Sequence, residues 1–143
     1  MSIPTSLFDL TGKVAVVTGS SRGIGKAIAS AFAQHGARVV VSSRKQNACD
    51  EVAAEINAAC AGGPGEAVAI AAHIGDKAQL QQLVDRTRER WGRIDVLVCN
   101  AAVNPVYGPS RDVSDEAFDK IMGCNVRSNH WLAHMVLPEM AER

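Results

Sequence analysis

An excess of charge of either sign is what this chain most plainly lacks. Its 143 residues hold 15 Lys and Arg against 15 Asp and Glu, for a formal net charge of +0. Such a balance carries no electrostatic footprint for nucleic acid or an anionic membrane. No apolar run approaches the roughly 20 residues of a membrane span, and residues 1–13 lack the basic stretch and apolar core of a secretory signal. Cysteine is sparse. Cys49, Cys60, Cys99 and Cys124 lie far apart, with no CxxC pair and no metal-ligand spacing to His, which argues against a disulfide framework or a zinc site and for reduced thiols in a cytoplasmic protein. A C-terminal address, a peroxisomal one included, is left open. Low-complexity tracts and internal linkers are also absent. What remains is 47% hydrophobic and 21% charged, the balance of a folded soluble domain, and its length suits a single domain over 1–143.

Short apolar, β-branched runs punctuate that length: KVAVVT at 13–18, ARVVVS at 37–42, EAVAIA at 66–71 and IDVLVC at 94–99. Runs of this kind read as strands of a parallel sheet covered on both faces. Between them the apolar spacing turns helical. Ile24, Ile28, Ala31 and Phe32 share one face of a helix over 24–34. A second helix is expected over 48–59, and a third over 77–91 with Leu80, Leu83, Val84 and Thr87 inward. Gly36, Gly62, Gly63 and Gly92 stand at helix ends. Strand and helix alternate four times, which predicts an α/β, Rossmann-type doubly wound parallel sheet with helices on both faces. A turn-rich loop (Asn104, Pro105, Gly108, Pro109, Ser110) follows the fourth run. A last helix is expected from Ser114, with Phe118, Ile121, Met122, Asn125, Leu132 and Val136 on one broad face. The fourth strand is expected at a sheet edge, and the fold to stop after the helix that follows it.

The most informative segment is Thr18-Gly19-Ser20-Ser21-Arg22-Gly23-Ile24-Gly25. It follows the first strand and opens the first helix, where a nucleotide-binding turn belongs. Gly19 permits a sharp turn, Gly23 a close approach of backbone to a pyrophosphate, and Gly25 close packing of helix on sheet. The helix start then offers N–H groups and a positive dipole end to phosphates. Ser21, Arg22 and Ile24 complete the expected phosphate cradle. The end of the second strand chooses the cofactor. An acid there would hold the ribose 2′-OH of NAD and repel a 2′-phosphate, but this chain reads Ser42-Ser43-Arg44-Lys45. Arg44 and Lys45 could simply solvate a loop. Arg44 converging with Arg22, beside Ser43 and no carboxylate, favours NADP(H).

The TGxxxGxG spacing resembles that of the short-chain dehydrogenase/reductase family, and the likeness runs from Gly12-Lys13 to Asn125. Asn100-Ala101-Ala102 resembles the family's NNAG motif, with Cys99 and Ala102 as departures. The stretch up to Pro105 resembles a subgroup of NADP-dependent carbonyl and retinal reductases. The resemblance implies reversible hydride transfer between a nicotinamide and a carbonyl or alcohol. It implies cofactor contacts at Asn100, Ala101 and Ala102, and at His73-Ile74, where the family usually has Asp-Val facing adenine. His73 is open between a base contact and an ordinary strand-end residue, and the backbone of Ile74 does not depend on side chain. Asn125, a polar amide on an apolar stripe, matches the Asn of the family's Asn-Ser-Tyr-Lys tetrad, where it holds a water for proton relay.

The other three members of that tetrad, expected after a fifth strand, would lie past Arg143. Tyr107 and Arg111 mimic the spacing of the Tyr-Lys pair, but Gly108 and Pro109 break any helix that would align them, so Tyr107 is assigned to loop packing or substrate contact. By itself the chain is therefore expected to be catalytically silent. Its competing reading is a non-catalytic product that binds nucleotide weakly or pairs with a longer partner. A sugar-nucleotide epimerase is disfavoured by the extra residue between Gly19 and Gly23. No metal is expected. The partners expected are a small carbonyl or alcohol substrate and a second copy of the chain. That copy would pair through the helix carrying Asn125, with Trp131, Met135 and Met140 either at that interface or packed within the chain.

Overall fold

The computed structural model describes residues 5–143. After a short 3-10 turn, Thr5–Phe8, four strands alternate with helices: β1 (Val14–Thr18), α1 (Gly23–Gln34), β2 (Arg38–Ser42), α2 (Gln46–Ala59), β3 (Glu66–Ala69), α3 (Lys77–Trp91) and β4 (Val96–Val98). A loop and a 3-10 turn, Ser110–Asp112, lead to α4 (Asp115–Met122). A π-helical turn, Gly123–Arg127, then joins it to α5 (Ser128–Ala141). The sheet is parallel, in the order β3-β2-β1-β4. This is the Rossmann-type doubly wound sheet expected from the sequence.

Period-two alternation explains why both faces must be covered. Ala15, Val17, Val39 and Val41 point to one side, where Ala29 and Ala33 of α1 and Cys49, Val52, Ala53 and Ile56 of α2 bury them. Val16 and Val40 point to the other. There they meet Leu80, Leu83 and Val84 of α3 and Leu132 and Val136 of α5. Each fully buried aliphatic side chain of this kind contributes about 1.5–3 kcal/mol. The chain visits β1, β2 and β3 in one direction, then crosses back to place β4 on the far side of β1. That reversal opens a crevice at the carboxyl ends of β1 and β4, where ligands of such sheets bind.

The two outer strands are finished differently. On β3, amides from α2 stand in for a neighbouring strand. Asn57 donates to the Ala67 carbonyl (2.9 Å) and accepts from its N–H (2.7 Å), and Gln46 accepts from the Ala71 N–H (3.0 Å). On β4, three residues long, the side chains are only half buried. Its start is fixed by Asp95, which accepts from the Val14 N–H (2.9 Å) and pairs with Arg93 and, at 3.7 Å, with Arg143.

Several helix faces differ from the sequence expectation. On α3 the inward set is the expected Leu80, Leu83, Val84 and Thr87. On α1 the buried residues are Gly25, Ala29 and Ala33, while Ile24 is 75% exposed and Ala31 is exposed. Small residues at i, i+4 and i+8 let the helix axis approach the sheet, and of the expected face Ile28 and Phe32 pack, partly buried, against the same core. The last helix is not continuous. Leu132 and Val136 are buried as expected, but Phe118 and Met122 are exposed. The π turn adds a residue between them, so one helical period cannot be carried across it. Trp131, Met135 and Met140 are partly buried against the core beside α3.

Asp95 yields a pH-dependent prediction. Burial pushes its carboxyl up, but the Arg93 and Val14 hydrogen bonds and the Arg93 and Arg143 charges outweigh this, and its pKa lies below the ordinary range. A carboxylate so depressed stabilises the fold above the unfolded-state value of about 3.9 and loses that contribution as pH falls through the folded-state value. Asp95→Asn keeps an acceptor for Val14 but removes the charge. It is expected to destabilise the chain by about 1 kcal/mol at pH 7, measured by urea unfolding. The gap should close as pH is lowered below about 3.9.

Candidate functional site

The turn after β1 is built around a serine that does not face the ligand. Ser20 is fully buried; its hydroxyl donates to the Val17 carbonyl (2.6 Å) and accepts from the Ser42 N–H (2.9 Å), while its own N–H donates to the Ser42 carbonyl (3.0 Å). These bonds staple the glycine turn to the end of β2. From the other side Asn100 donates its amide to the carbonyls of Thr18 (2.9 Å) and Gly19 (3.1 Å). The Thr18 hydroxyl accepts from the N–H groups of Asn100 and Ala101, both at 3.1 Å. Asn100 lines the site, and its amide protons hold the turn.

Two glycines are required by this packing. A Cβ on Gly25 would lie 2.4 Å from the Gly19 carbonyl oxygen, and one on Gly19 would lie 2.9 Å from the Ala101 Cα at a φ of +66°. Gly23 has a different reason. Its φ is +56° and no protein atom lies within 4 Å of where a Cβ would stand, so the space beside it is left to whatever the turn receives. The start of α1 is also left uncapped: Arg22 makes no side-chain cap bond. By contrast Asp76 caps α3 and Ser114 caps α4 with their own side chains. Unfilled N–H groups, a positive dipole end and an open glycine suit a phosphate.

Around this turn the strand ends enclose a cleft of about 660 Å³. Every nucleotide-binding position expected from the sequence lines it: Gly19, Ser21, Arg22, Gly23, Ile24, Gly25, Ser43, Arg44, His73, Ile74, Asn100, Ala101 and Ala102. The charged side chains of the lining are Arg22, Arg44, Lys45 and Lys120, with no carboxylate among them. Lys26, next in line on α1, is engaged by Glu55. The Ser43 hydroxyl lies 3.1 Å from the Cys49 sulfur. The cleft thus combines free backbone N–H groups at the head of α1 with a lining of cations and no carboxylate, which suits an anionic ligand.

Lys120, Cys124, Leu80 and Val103 also line the cleft and were not singled out from sequence. For Lys120 and Cys124 the available signal was position, five and one residues before Asn125 on the same helical segment. Asn125 itself stands outside the lining, in the π turn. Its amide accepts from the Val103 N–H (2.8 Å) and donates to the Val103 carbonyl (2.9 Å). The side chain thereby fixes the loop that follows β4. Tyr107 stands apart, 90% exposed, with Arg111 beside Asp112 at 3.8 Å.

No group of three or more His, Cys, Asp or Glu arranged to hold a metal occurs among the described residues. No helix among them is long and apolar enough to cross a membrane.

Comparison with known proteins agrees with this geometry. The family model described as short chain dehydrogenase matches residues 13–143. Human dehydrogenase/reductase SDR family member 2, mitochondrial, is 44% identical over 135 residues, which cover 94% of this chain and 46% of that protein. The rabbit (Oryctolagus cuniculus) family member 4 is 42% identical, over 94% of this chain and 50% of its own length. The chain thus spans about half the length of these relatives. Among solved structures, a metagenomic short-chain oxidoreductase in complex with NADP superposes with a TM-score of 0.83 at 35% identity, over 92% of this chain and 58% of that one. A 3-ketoacyl-(acyl-carrier-protein) reductase from Brucella melitensis, complexed with NADH, gives 0.83 at 34% identity, over 94% and 52%. With its glycine turn, switch-point cleft and matched residues 13–143, the chain belongs to the short-chain dehydrogenase/reductase family.

Proposed function

We propose that this chain forms the cofactor-binding part of an NADP(H)-dependent oxidoreductase acting on a small carbonyl or alcohol. The observation that carries the cofactor choice is the lining of the cleft. Arg22 and Arg44 flank the end of β2 with Ser43 between strand and arginine, and no carboxylate lines the cleft. A guanidinium can grip a phosphate through two parallel hydrogen bonds. When bound, the nicotinamide supplies hydride. The chain's own residues bind and orient the cofactor: Gly19, Ser21, Gly23, Ile24 and Gly25 at the pyrophosphate, Ser43 with the two arginines at the 2′-phosphate, and His73 and Ile74 at the base. Ala101 and Ala102 take the nicotinamide side, in a loop that Asn100 and Asn125 hold. In this reading Asn125 takes its part in proton relay as a positioning residue, since both its amide atoms are engaged by Val103. The Ser, Tyr and Lys that complete the family's tetrad are not among the residues of this cleft, so the chain by itself is read as binding without turnover.

Charge-assisted bonds contribute roughly 1.5–3 kcal/mol each when well aligned, and exposure and salt reduce this. A preference for NADPH over NADH of about ten- to a hundredfold is expected, measured as dissociation constants at fixed ionic strength. Ser43→Asp combined with Arg44→Leu should reverse it, because the new carboxylate would hold a free 2′-OH and repel a phosphate. Equal affinities in the native protein would remove Arg22 and Arg44 as phosphate ligands.

Tyr107 is no proton donor in this reading. Tyr107→Phe should leave NADPH affinity within about twofold, and any carbonyl reduction by a longer form carrying this chain should also change by less than about twofold. A loss of a hundredfold in turnover would restore the tyrosine to the chemistry.

Self-association is proposed through α4 and α5. Phe118, Met122, Val126 and Leu137 are large apolar side chains left exposed on these helices, and the second copy of the chain is the occupant assigned to them. Light scattering at micromolar concentration should report a dimer or larger species. Val126→Asp, which would bury two like charges near each other, should shift it to monomer. A native monomer would count against the pairing.

A further inference from the structure

His73 stands where a nucleotide base would come to rest, and the structure gives its ring a definite polarity. The placement follows from the order of strand ends across the cleft. If pyrophosphate lies at the head of α1, after β1, and a 2′-phosphate lies beside Ser43 and Arg44, after β2, then the base on the same ribose extends toward the next strand end. In the order β3-β2-β1-β4 that is the segment after β3, where His73 and Ile74 line the cleft.

The ring is held by its own loop. The Gly75 N–H donates to His73 Nδ1 at 3.0 Å. The backbone on either side is fixed as well. The His73 N–H donates to the Gln79 side chain (2.9 Å), the His73 carbonyl accepts from the Asp76 N–H (2.9 Å), and Gln79 donates in turn to Asp76 (2.9 Å). Gly75 packs closely on the ring: a Cβ would lie 3.0 Å from His73 Cε1 and 3.1 Å from Nδ1, so the imidazole would have to give way to a side chain. A neutral imidazole whose Nδ1 accepts must carry its proton on Nε2. An aspartate at this position would only accept hydrogen bonds. This histidine, with Nδ1 engaged, offers the opposite.

We propose that His73 reads the base of the cofactor as a hydrogen-bond donor through Nε2–H, toward a ring nitrogen or carbonyl oxygen, and does not read the exocyclic amino group as an acceptor. The proposal rests on the dinucleotide reading of the cleft given above. It makes His73 a base-binding residue whose tautomer is set by Gly75.

Tests on the intact chain separate the possibilities. Nitrogen-15 shifts of His73 without nucleotide should show a protonated Nε2 and an unprotonated Nδ1, and the reverse would overturn the proposal. NADPH and its hypoxanthine counterpart should bind within about threefold of each other, since N1 of adenine or O6 of hypoxanthine can receive the same proton. A loss beyond tenfold on replacing the amino group would show that an acceptor reads it. His73→Gln, which places an N–H near the position of Nε2, should retain NADPH affinity within about threefold. His73→Asn keeps an acceptor for Gly75, has nothing at Nε2, and should weaken binding about tenfold, the worth of one well-made hydrogen bond. Reduced nicotinamide mononucleotide, which has no base on this side, should bind native and variant chains alike, whereas a parallel loss with it would assign the effect to the fold and overturn the proposal. If NADPH binds and the two variants do not separate, this proposal alone fails. If neither NADPH nor NADH binds while the Nε2–H tautomer is found, the dinucleotide reading fails and this inference goes with it.

Discussion

The geometry of the cleft depends on one close contact, the approach of α1 to the turn that precedes it. Gly25 lies so near the Gly19 carbonyl that no side chain fits between them. The same carbonyl, with that of Thr18, accepts the two amide protons of Asn100. One asparagine thus locks the end of β4 to the turn after β1, and the helix start cannot shift without breaking both bonds. Ser20 does the same toward β2. The N–H groups at the head of α1 are positioned by neutral side chains hydrogen-bonded behind them, while the charged ones stand in the cleft lining. Preorganisation of this kind lowers the ordering cost of binding.

A second device recurs. Asn57 satisfies both backbone groups of Ala67 on the outer strand, and Asn125 satisfies both backbone groups of Val103 in the loop after β4. A primary amide carries a donor and an acceptor at the spacing of a peptide group, so it can act as one rung of a ladder where no strand is available. For Asn125 the rung has to reach a loop 22 residues away, and the π turn is what aims it. π turns inside helices often mark functional positions for this reason: the extra residue re-aims a side chain that regular helix would send elsewhere.

The fold and most of the cleft were legible because their signals are local or strictly periodic. Alternation within β1 and β2 sets their two faces, the glycine spacing sets the turn, and α3 has a clean inward stripe. What escaped has a physical cause in each case. On α1 the sequence offers two stripes, a bulky one at Ile24, Ile28 and Phe32 and a small one at Gly25, Ala29 and Ala33. Apolarity favours the first, while close approach to a sheet requires the second. The π turn leaves no composition mark, so α4 and α5 read as one helix and Phe118 and Met122 were placed inward. Trp131 and Met135 were open between interface and core because large apolar side chains suit either, and they are partly buried against the core. Ser20 was hidden between more conspicuous glycines, and Lys120 joins the cleft only through the tertiary placement of α4.

The cleft is also electrically asymmetric, and the strand order accounts for it. Arg44 and Lys45 follow β2 and Arg22 stands in the turn after β1, while residues 100–103 after β4 contribute an amide and apolar groups, and α4 a single cation, Lys120, to the same lining. Backbone N–H groups at the head of α1 lie between. A ligand with charge at its centre and one end, and a neutral ring at the other, matches this gradient in only one orientation. Reversed, it would bring its phosphate to a side where Lys120 is the one cation and Asn100 already holds the turn, and would leave two guanidiniums facing a neutral ring. Exchanging two guanidiniums for one ammonium gives up the paired hydrogen bonds that a guanidinium makes to a phosphate. The chain reversal that puts β4 beside β1 therefore separates the more cationic from the less cationic end of the cleft, as well as setting where the crevice opens.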